Sequence, residues 1–420
     1  MMEITAHPGD DWRECPHCGL HCLLPPRTPG LVADCPRCGE VLWRMRAHRR
    51  TLPLAYALAA LLFYLFAVAA PFLEIEVYGR FALARLGTGP AQLTAQGFGL
   101  AGALVFLVTL VAPAAKLGFL IIILGGLRFL PPALLKLLFR WYHALAPWAM
   151  IDVYLLGFLV AYTRLTLLAS VHLDTALYAL IGCMLCMAAA DGSVDTEQLW
   201  RSLDARTPRS KLCYGGARMG CTACGFVNTA TPGAACLRCD APVHIRTRES
   251  VSRAWALLLA SMALYIPANL YPFMVITKLA RTTPYTITGG IEELAQNGLW
   301  PLALLVFFAS ITIPLVKILA LGYMLISVQV RSTRYLALRT TAYRIIDFIG
   351  RWSMIDVFMV SILVALLRFD QIANVHAAIG AVCFGAVVVL TIFAVEAFDP
   401  RLMWDAERPL MSEAVGDAGE

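Results

Sequence analysis

Trp148-Ala149-Met150-Ile151-Asp152-Val153 recurs 204 residues later as Trp352-Ser353-Met354-Ile355-Asp356-Val357. Upstream of it, Pro113-Ala114-Ala115-Lys116 recurs 201 residues later as Pro314-Leu315-Val316-Lys317. Fainter echoes hold the same register: Pro71-Phe72 with Pro272-Phe273, Gly97 with Gly298, Arg164 with Arg368, and Trp200 with Trp404. A repeat of this length in an apolar chain reads as a duplicated helical bundle. Both motifs put an ion inside an apolar run, which is costly and therefore points to function more than to packing.

Working outward, 59% of the 420 residues are hydrophobic and the mean hydropathy is +0.70, which excludes an ordinary soluble globule. Eight apolar runs are long enough to cross a bilayer: roughly 52–72, 98–124, 145–168, 173–190, 254–276, 299–327, 346–368 and 372–396. The net charge of +6 is spread over loops that flank these runs. Arg44, Arg46, Arg49 and Arg50 precede the first; Arg128, Lys136 and Arg140 follow the second. The linker Arg201–Arg253 and the loop with Arg331, Arg334, Arg339 and Arg344 are also basic. This pattern predicts a multi-pass membrane protein with both termini cytoplasmic, and no nucleic-acid partner. Met1–Arg50 is polar and does not read as a cleavable signal, so the first run is expected to insert uncleaved. Arg164 and Arg368, at the ends of their runs, are expected at the outer interface. Pro131–Pro147, with Lys136, Arg140 and His143, reads as a helix at the cytoplasmic interface or as an extension of the third run, in either case toward headgroups.

Eight of the thirteen cysteines form Cys-x-x-Cys knuckles. Cys15, Cys18, Cys35 and Cys38 have sixteen residues between knuckles; Cys221, Cys224, Cys236 and Cys239 have eleven. Each set completes a closed four-thiolate site, predicted to be structural Zn²⁺, with an iron centre of rubredoxin type an open alternative. A cytoplasmic location argues against disulfides. The fold class expected is an all-α polytopic membrane protein. It would hold two tandem four-helix transmembrane units, each preceded by a small cytoplasmic ribbon. The corresponding domains are a ribbon at 1–50, a membrane unit at 51–192, a linker with the second ribbon at 193–252, a second membrane unit at 253–398 and a tail at 399–420.

The charged residues suggest a working site. Repeat symmetry and the cost of a lone ion in hydrocarbon predict the pairs Lys116 with Asp152 and Lys317 with Asp356. Ser310 lies two helical turns before Lys317 on the same face, and Thr391 can join from the last run. The matching positions in the first half are Thr109 and Met187, so Ser310, Lys317, Asp356 and Thr391 form the expected relay. No Walker loop, Rossmann fingerprint, nucleophile elbow or HExxH pair is present, and no enzymatic activity is expected.

These motifs together resemble the paraquat-inducible protein A family of bacterial inner-membrane proteins. The resemblance is carried by Cys15-Pro16-His17-Cys18-Gly19, the Lys317 and Asp356 motifs, and the closing Phe398-Asp399-Pro400-Arg401-Leu402-Met403-Trp404-Asp405. It runs from Cys15 to Asp405, with two departures: the last knuckle ends Cys239-Asp240 in place of Cys-Gly, and the first half has no counterpart to Thr391. The resemblance implies a bacterial inner-membrane protein with a periplasmic MCE-domain tunnel as partner and phospholipid moved between inner and outer membranes; the Lys/Asp network itself suggests that the movement is proton-coupled. A metal- or redox-responsive membrane sensor and a stand-alone small-solute carrier are the alternatives the residues leave open.

Overall fold

The computed structural model describes residues 12–24, 32–44, 51–77, 80–127, 129–166, 170–204, 206, 217–278, 281–366 and 373–407. Arg46, Arg49, Arg50, Arg128, Arg368 and the tail beyond Glu407 fall outside them. Eight helices are long and apolar enough to cross a membrane. In chain order, helices 1 to 8 are Thr51–Ala69, Gly99–Gly126, Pro132–Thr163, Thr175–Ser193, Ser250–Leu270, Trp300–Gln329, Leu336–Ala365 and Ile379–Ala397. Their outer faces stay apolar: Leu62 is 69% exposed and Leu319 63%. Surface of that kind is stable only against lipid.

The chain is mostly helical but not all-α. Leu73–Val77 pairs antiparallel with both Arg80–Ala84 and Ser170–Leu173, giving a three-stranded sheet. Met274–Lys278 does the same with Arg281–Tyr285 and Ala373–Ala377. The Pro-Phe echoes explain the change from helix to strand. Pro71 and Pro272 follow helices 1 and 5 and favour an extended chain around them. The backbone N–H of Phe72 then donates to Ala84 and that of Phe273 to Tyr285, while their carbonyls accept from Asp174 and Ala378 at the starts of helices 4 and 8. Gly97 and Gly298 adopt left-handed φ of 91° and 80°, closing the short helices Thr88–Ala95 and Ile287–Gln296. The next residues, Phe98 and Leu299, donate back to Leu93 and Leu294, as a Schellman stop requires.

Helices 2 and 6 contain π-helical turns, Leu107–Val111 and Phe308–Thr312, immediately before their prolines. Pro113 and Pro314 lack an N–H, and the wider turn relieves the clash with the preceding carbonyls. A tyrosine from the neighbouring helix supplies a donor: Tyr64 Oη gives to Leu110 O at 2.7 Å, and Tyr265 Oη to Ile311 O at 3.1 Å. The two halves meet chiefly along helices 3 and 7, where the Tyr154 and Phe358 rings contact edge to face at 5.6 Å.

The ribbons dock crosswise. The first, built on Trp12–Glu14, His21–Leu23, Val32–Asp34 and Val41–Arg44, packs on the second half. Its Cys38 carbonyl accepts from Arg344 at 2.8 Å, and Arg37 lies 4.4 Å over the Trp404 ring. The second, with strands Ala217–Gly220 and Val227–Ala230, packs on Leu135, Phe139, Trp200 and Leu203 of the first half. Lys136 is therefore buried at the ribbon and pairs with Asp240 at 3.4 Å, not with lipid headgroups as its sequence context suggested.

Candidate functional site

In each ribbon four sulfurs converge. Cys15–Cys38 and Cys18–Cys35 are 3.4 and 3.5 Å apart; Cys221–Cys239 and Cys224–Cys236 are 3.5 and 3.6 Å. Within each set all four sulfurs lie within 4.8 Å of one another. Disulfides need about 2.05 Å, so these are free thiols. Tetrahedral ligands at about 2.3 Å from an ion would have edges near 3.8 Å, so both sets are built to hold a metal ion. Each knuckle ends in a left-handed residue: Gly19 (67°), Gly39 (69°), Gly225 (69°) and Asp240 (60°). Asp is among the few side chains that tolerate this φ, so the departure from Cys-Gly preserves the turn.

Glu197, 3% exposed, ties the two ribbons together. Arg238 of the second ribbon grips it with both terminal nitrogens, at 2.9 and 3.0 Å, and also donates to Asp204 at 2.9 Å. Arg13 of the first ribbon pairs with the same carboxylate. Removing it leaves the buried Arg238 guanidinium with Asp204 alone of its two acids and takes this carboxylate from Arg13. Glu197→Ala should cost about 3–5 kcal/mol, read as a lowered unfolding midpoint in detergent. A Glu197→Ala protein as stable as wild type would show the pair to be dispensable.

A second joint lies at Asp399, 4% exposed. Its carboxylate accepts from Arg401 at 2.9 and 2.8 Å and from the Thr247 amide at 3.0 Å, while Arg401 reaches Glu14 of the first ribbon at 3.2 Å. Burial pushes its pKa upward, but the Arg401 hydrogen bonds and charge, with the backbone amides, outweigh burial and hold it below the usual value. A depressed pKa contributes stability that is present above about pH 4 and lost as pH falls through the folded value. Asp399→Asn should therefore destabilise the protein at pH 7, with the gap to wild type closing in unfolding titrations carried to acid. A gap independent of pH would contradict this.

Inside the bundle, the predicted pairings change. Lys116, 5% exposed, ion-pairs with Asp191 at 2.6 Å, and Tyr142 Oη donates to the other Asp191 oxygen at 2.9 Å. Asp152 is exposed, at the mouth of an apolar groove of about 610 Å³ walled by Leu155, Leu159, Tyr162, Leu177 and Trp352. Lys317, 2% exposed, donates to Thr391 Oγ1 at 2.9 Å, and Asp356, also 2% exposed, accepts from Ser310 Oγ. No direct Lys317–Asp356 ion pair forms. Both lysines thus take a partner from the last helix of their own half. One turn separates those partners: Met187 and Asp191 in the first half stand where Thr391 and Val395 stand in the second. Sequence reasoning treated Asp191 as a helix end. Its signal was an acid still within an apolar helix that runs on to Ser193.

Lys116 and Lys317 also face each other across a polar cavity of about 530 Å³ between the halves, shared with Asp191, Asp347 and Glu396. A second apolar groove, about 390 Å³, lies between the Leu93–Leu104 region and helices 7 and 8.

The family model described as Paraquat-inducible protein A matches the chain twice, over residues 51–204 and 251–407. The chain is 33% identical over 401 residues to Intermembrane transport protein PqiA of Escherichia coli, covering 94% of this chain and 95% of the relative. It is 32% identical over 408 residues to the Lipophilic envelope-spanning tunnel protein A of the same organism, covering 95% and 92%. A Haemophilus influenzae protein named Probable intermembrane transport protein is 26% identical over 383 residues, covering 89% and 90%. No solved structure matches significantly. The chain belongs to the paraquat-inducible protein A family of membrane proteins.

Proposed function

We propose that this protein moves phospholipid between the two membranes of a bacterial envelope, working from the inner membrane with a periplasmic MCE-domain tunnel. In this reading two tandem four-helix units, each with its own cytoplasmic ribbon, form one transporter, and no covalent chemistry is performed. The relatives' names supply the class: intermembrane transport and a lipophilic tunnel. The observation that carries it to this chain is the apolar groove of about 610 Å³ with a carboxylate, Asp152, at its mouth, a size and lining suited to acyl chains below an amine-bearing headgroup.

Protons provide the driving force in this account. Ser310 precedes Lys317 by two turns, so a lysine side chain that leaves Thr391 can swing toward the Ser310–Asp356 pair. Its ammonium would pass a proton to the Asp356 carboxylate, and the neutral amine would return to Thr391. Asp356 would then lose its attractive charge and loosen helix 7 against helix 6. Lys116, held by both Asp191 and the Tyr142 network, reads as a fixed clamp of the first half. The ribbons would hold Zn²⁺ through Cys15, Cys18, Cys35 and Cys38, and through Cys221, Cys224, Cys236 and Cys239. That metal supplies folding energy and no reaction step.

A redox-sensor role is disfavoured because seven of the eight ligand thiols are buried. Purification from native membranes with mass spectrometry of co-purifying proteins and lipids tests the reading. It predicts an MCE-domain protein and enriched phospholipid. A protein that comes away with neither, and that carries a small solute across liposomes by itself, would replace it with the carrier.

A further inference from the structure

The polar cavity between the halves does not end at Lys317. Tyr343 and Asp347 on helix 7 and Glu396 on helix 8 form part of its wall, and the same three residues line a second cavity of about 430 Å³ beneath the ribbons. The second cavity reaches Arg13, His17 and Arg401 at the joint between ribbons and bundle. The two spaces share these three residues, and there Tyr343 Oη donates to the Val395 carbonyl at 3.2 Å and bridges helices 7 and 8. Three acids (Asp191, Asp347, Glu396) and two lysines (Lys116, Lys317) line the inner cavity. The acids shared by both cavities belong to the second half alone: the matching positions in the first half are His143 and Gly192. Asp347 and Glu396 are both exposed, so water reaches the two carboxylates.

We propose that Asp347 and Glu396 form a proton entrance from the ribbon side to Lys317, gated by the ribbon–bundle joint. The inference rests on the relay reading above and adds its source of protons. A hydronium proton is taken up on a Glu396 or Asp347 carboxylate oxygen. That acid gives it to the Lys317 amine after the lysine has passed its own proton to Asp356, so each step moves one proton and needs no other reactant. The acids Glu14, Asp347, Glu396 and Asp399 outnumber Arg13 and Arg401 in the outer cavity, and a net negative lining attracts cations and repels anions. Asp347 and Glu396 thus carry the proton themselves in this proposal.

The test is the charge selectivity of the passage. Ile392 lines the inner cavity one turn from Glu396. Full-length Ile392→Cys protein, in vesicles sealed with the ribbon face outward, is treated with cationic trimethylammonioethyl or anionic sulfonatoethyl methanethiosulfonate. Mass spectrometry then reads modification at position 392 separately from the native cysteines. Val395→Cys, on the same wall, serves if the first variant does not accumulate. The cationic reagent should react at least about tenfold faster, and Asp347→Asn with Glu396→Gln should bring the ratio close to one. No modification from the ribbon face, equal rates with both reagents, or a preference that survives neutralisation of both acids would overturn the proposal. This readout does not use transport. Transport retained in Asp356→Asn alongside selective modification would remove the relay while leaving the entrance in place.

Discussion

Asp356→Asn and Lys317→Met should each abolish transport-dependent rescue of an envelope-defective strain while the protein remains at wild-type abundance. The expectation follows from what each change removes. Asparagine keeps the shape of Asp356 and can still accept from Ser310, so packing is retained; only the ability to take a proton is lost. Removing a positioned proton acceptor costs about 100-fold or more in a proton-dependent step. Methionine in place of Lys317 removes a buried ammonium whose insertion costs about 2.5–3.5 kcal/mol, so the variant should be no less stable than wild type. Asp152→Asn, on an exposed carboxylate, should accumulate equally well and act only on lipid selectivity. Immunoblot abundance with growth under detergent stress separates the cases. Full rescue by Asp356→Asn at normal abundance would remove proton relay from the account.

Loss of metal should have the other large effect, and it should spread between the halves. Each ribbon is too small to bury a core of its own, and metal binding of about 10–16 kcal/mol is its folding energy. Cys221→Ser with Cys224→Ser should halve the bound metal by elemental analysis. Because Arg238 would release Glu197, and Glu197 also holds Arg13, the first ribbon should come loose as well. Limited proteolysis should then cut both ribbons, and protein abundance should fall at least severalfold. Cuts confined to the mutated ribbon would show that the crosswise docking carries no energy between them.

The repeat made the eight helices, the buried Lys116 and Lys317 and the two thiolate sites readable from sequence, because apolar length, intramembrane ions and Cys-x-x-Cys spacing are local signals. What was misread depended on contacts between distant segments. Lys116 and Asp191 are 75 residues apart, and Asp152 was the nearer acid by repeat logic. The choice between them is made by which turn of helix 4 faces helix 2, and no periodicity records that. The strands Leu73–Val77, Arg80–Ala84, Met274–Lys278 and Arg281–Tyr285 were hidden by their length; five residues with one to three polar positions look like loop. Crosswise docking joins Arg344 to Cys38 across 306 residues, a pairing of surfaces that the order of domains along the chain would place the other way round.

The central claim is that a proton gradient acting through Lys317 and Asp356 drives lipid movement. The most direct measurement is transfer of fluorescent phospholipid from proteoliposomes holding this protein and its tunnel partner to acceptor vesicles, with and without an imposed pH gradient. The account predicts transfer that rises with the gradient in wild type and stays at the background rate in Asp356→Asn. Transfer that is equal with and without the gradient, or unchanged in Asp356→Asn, would contradict it.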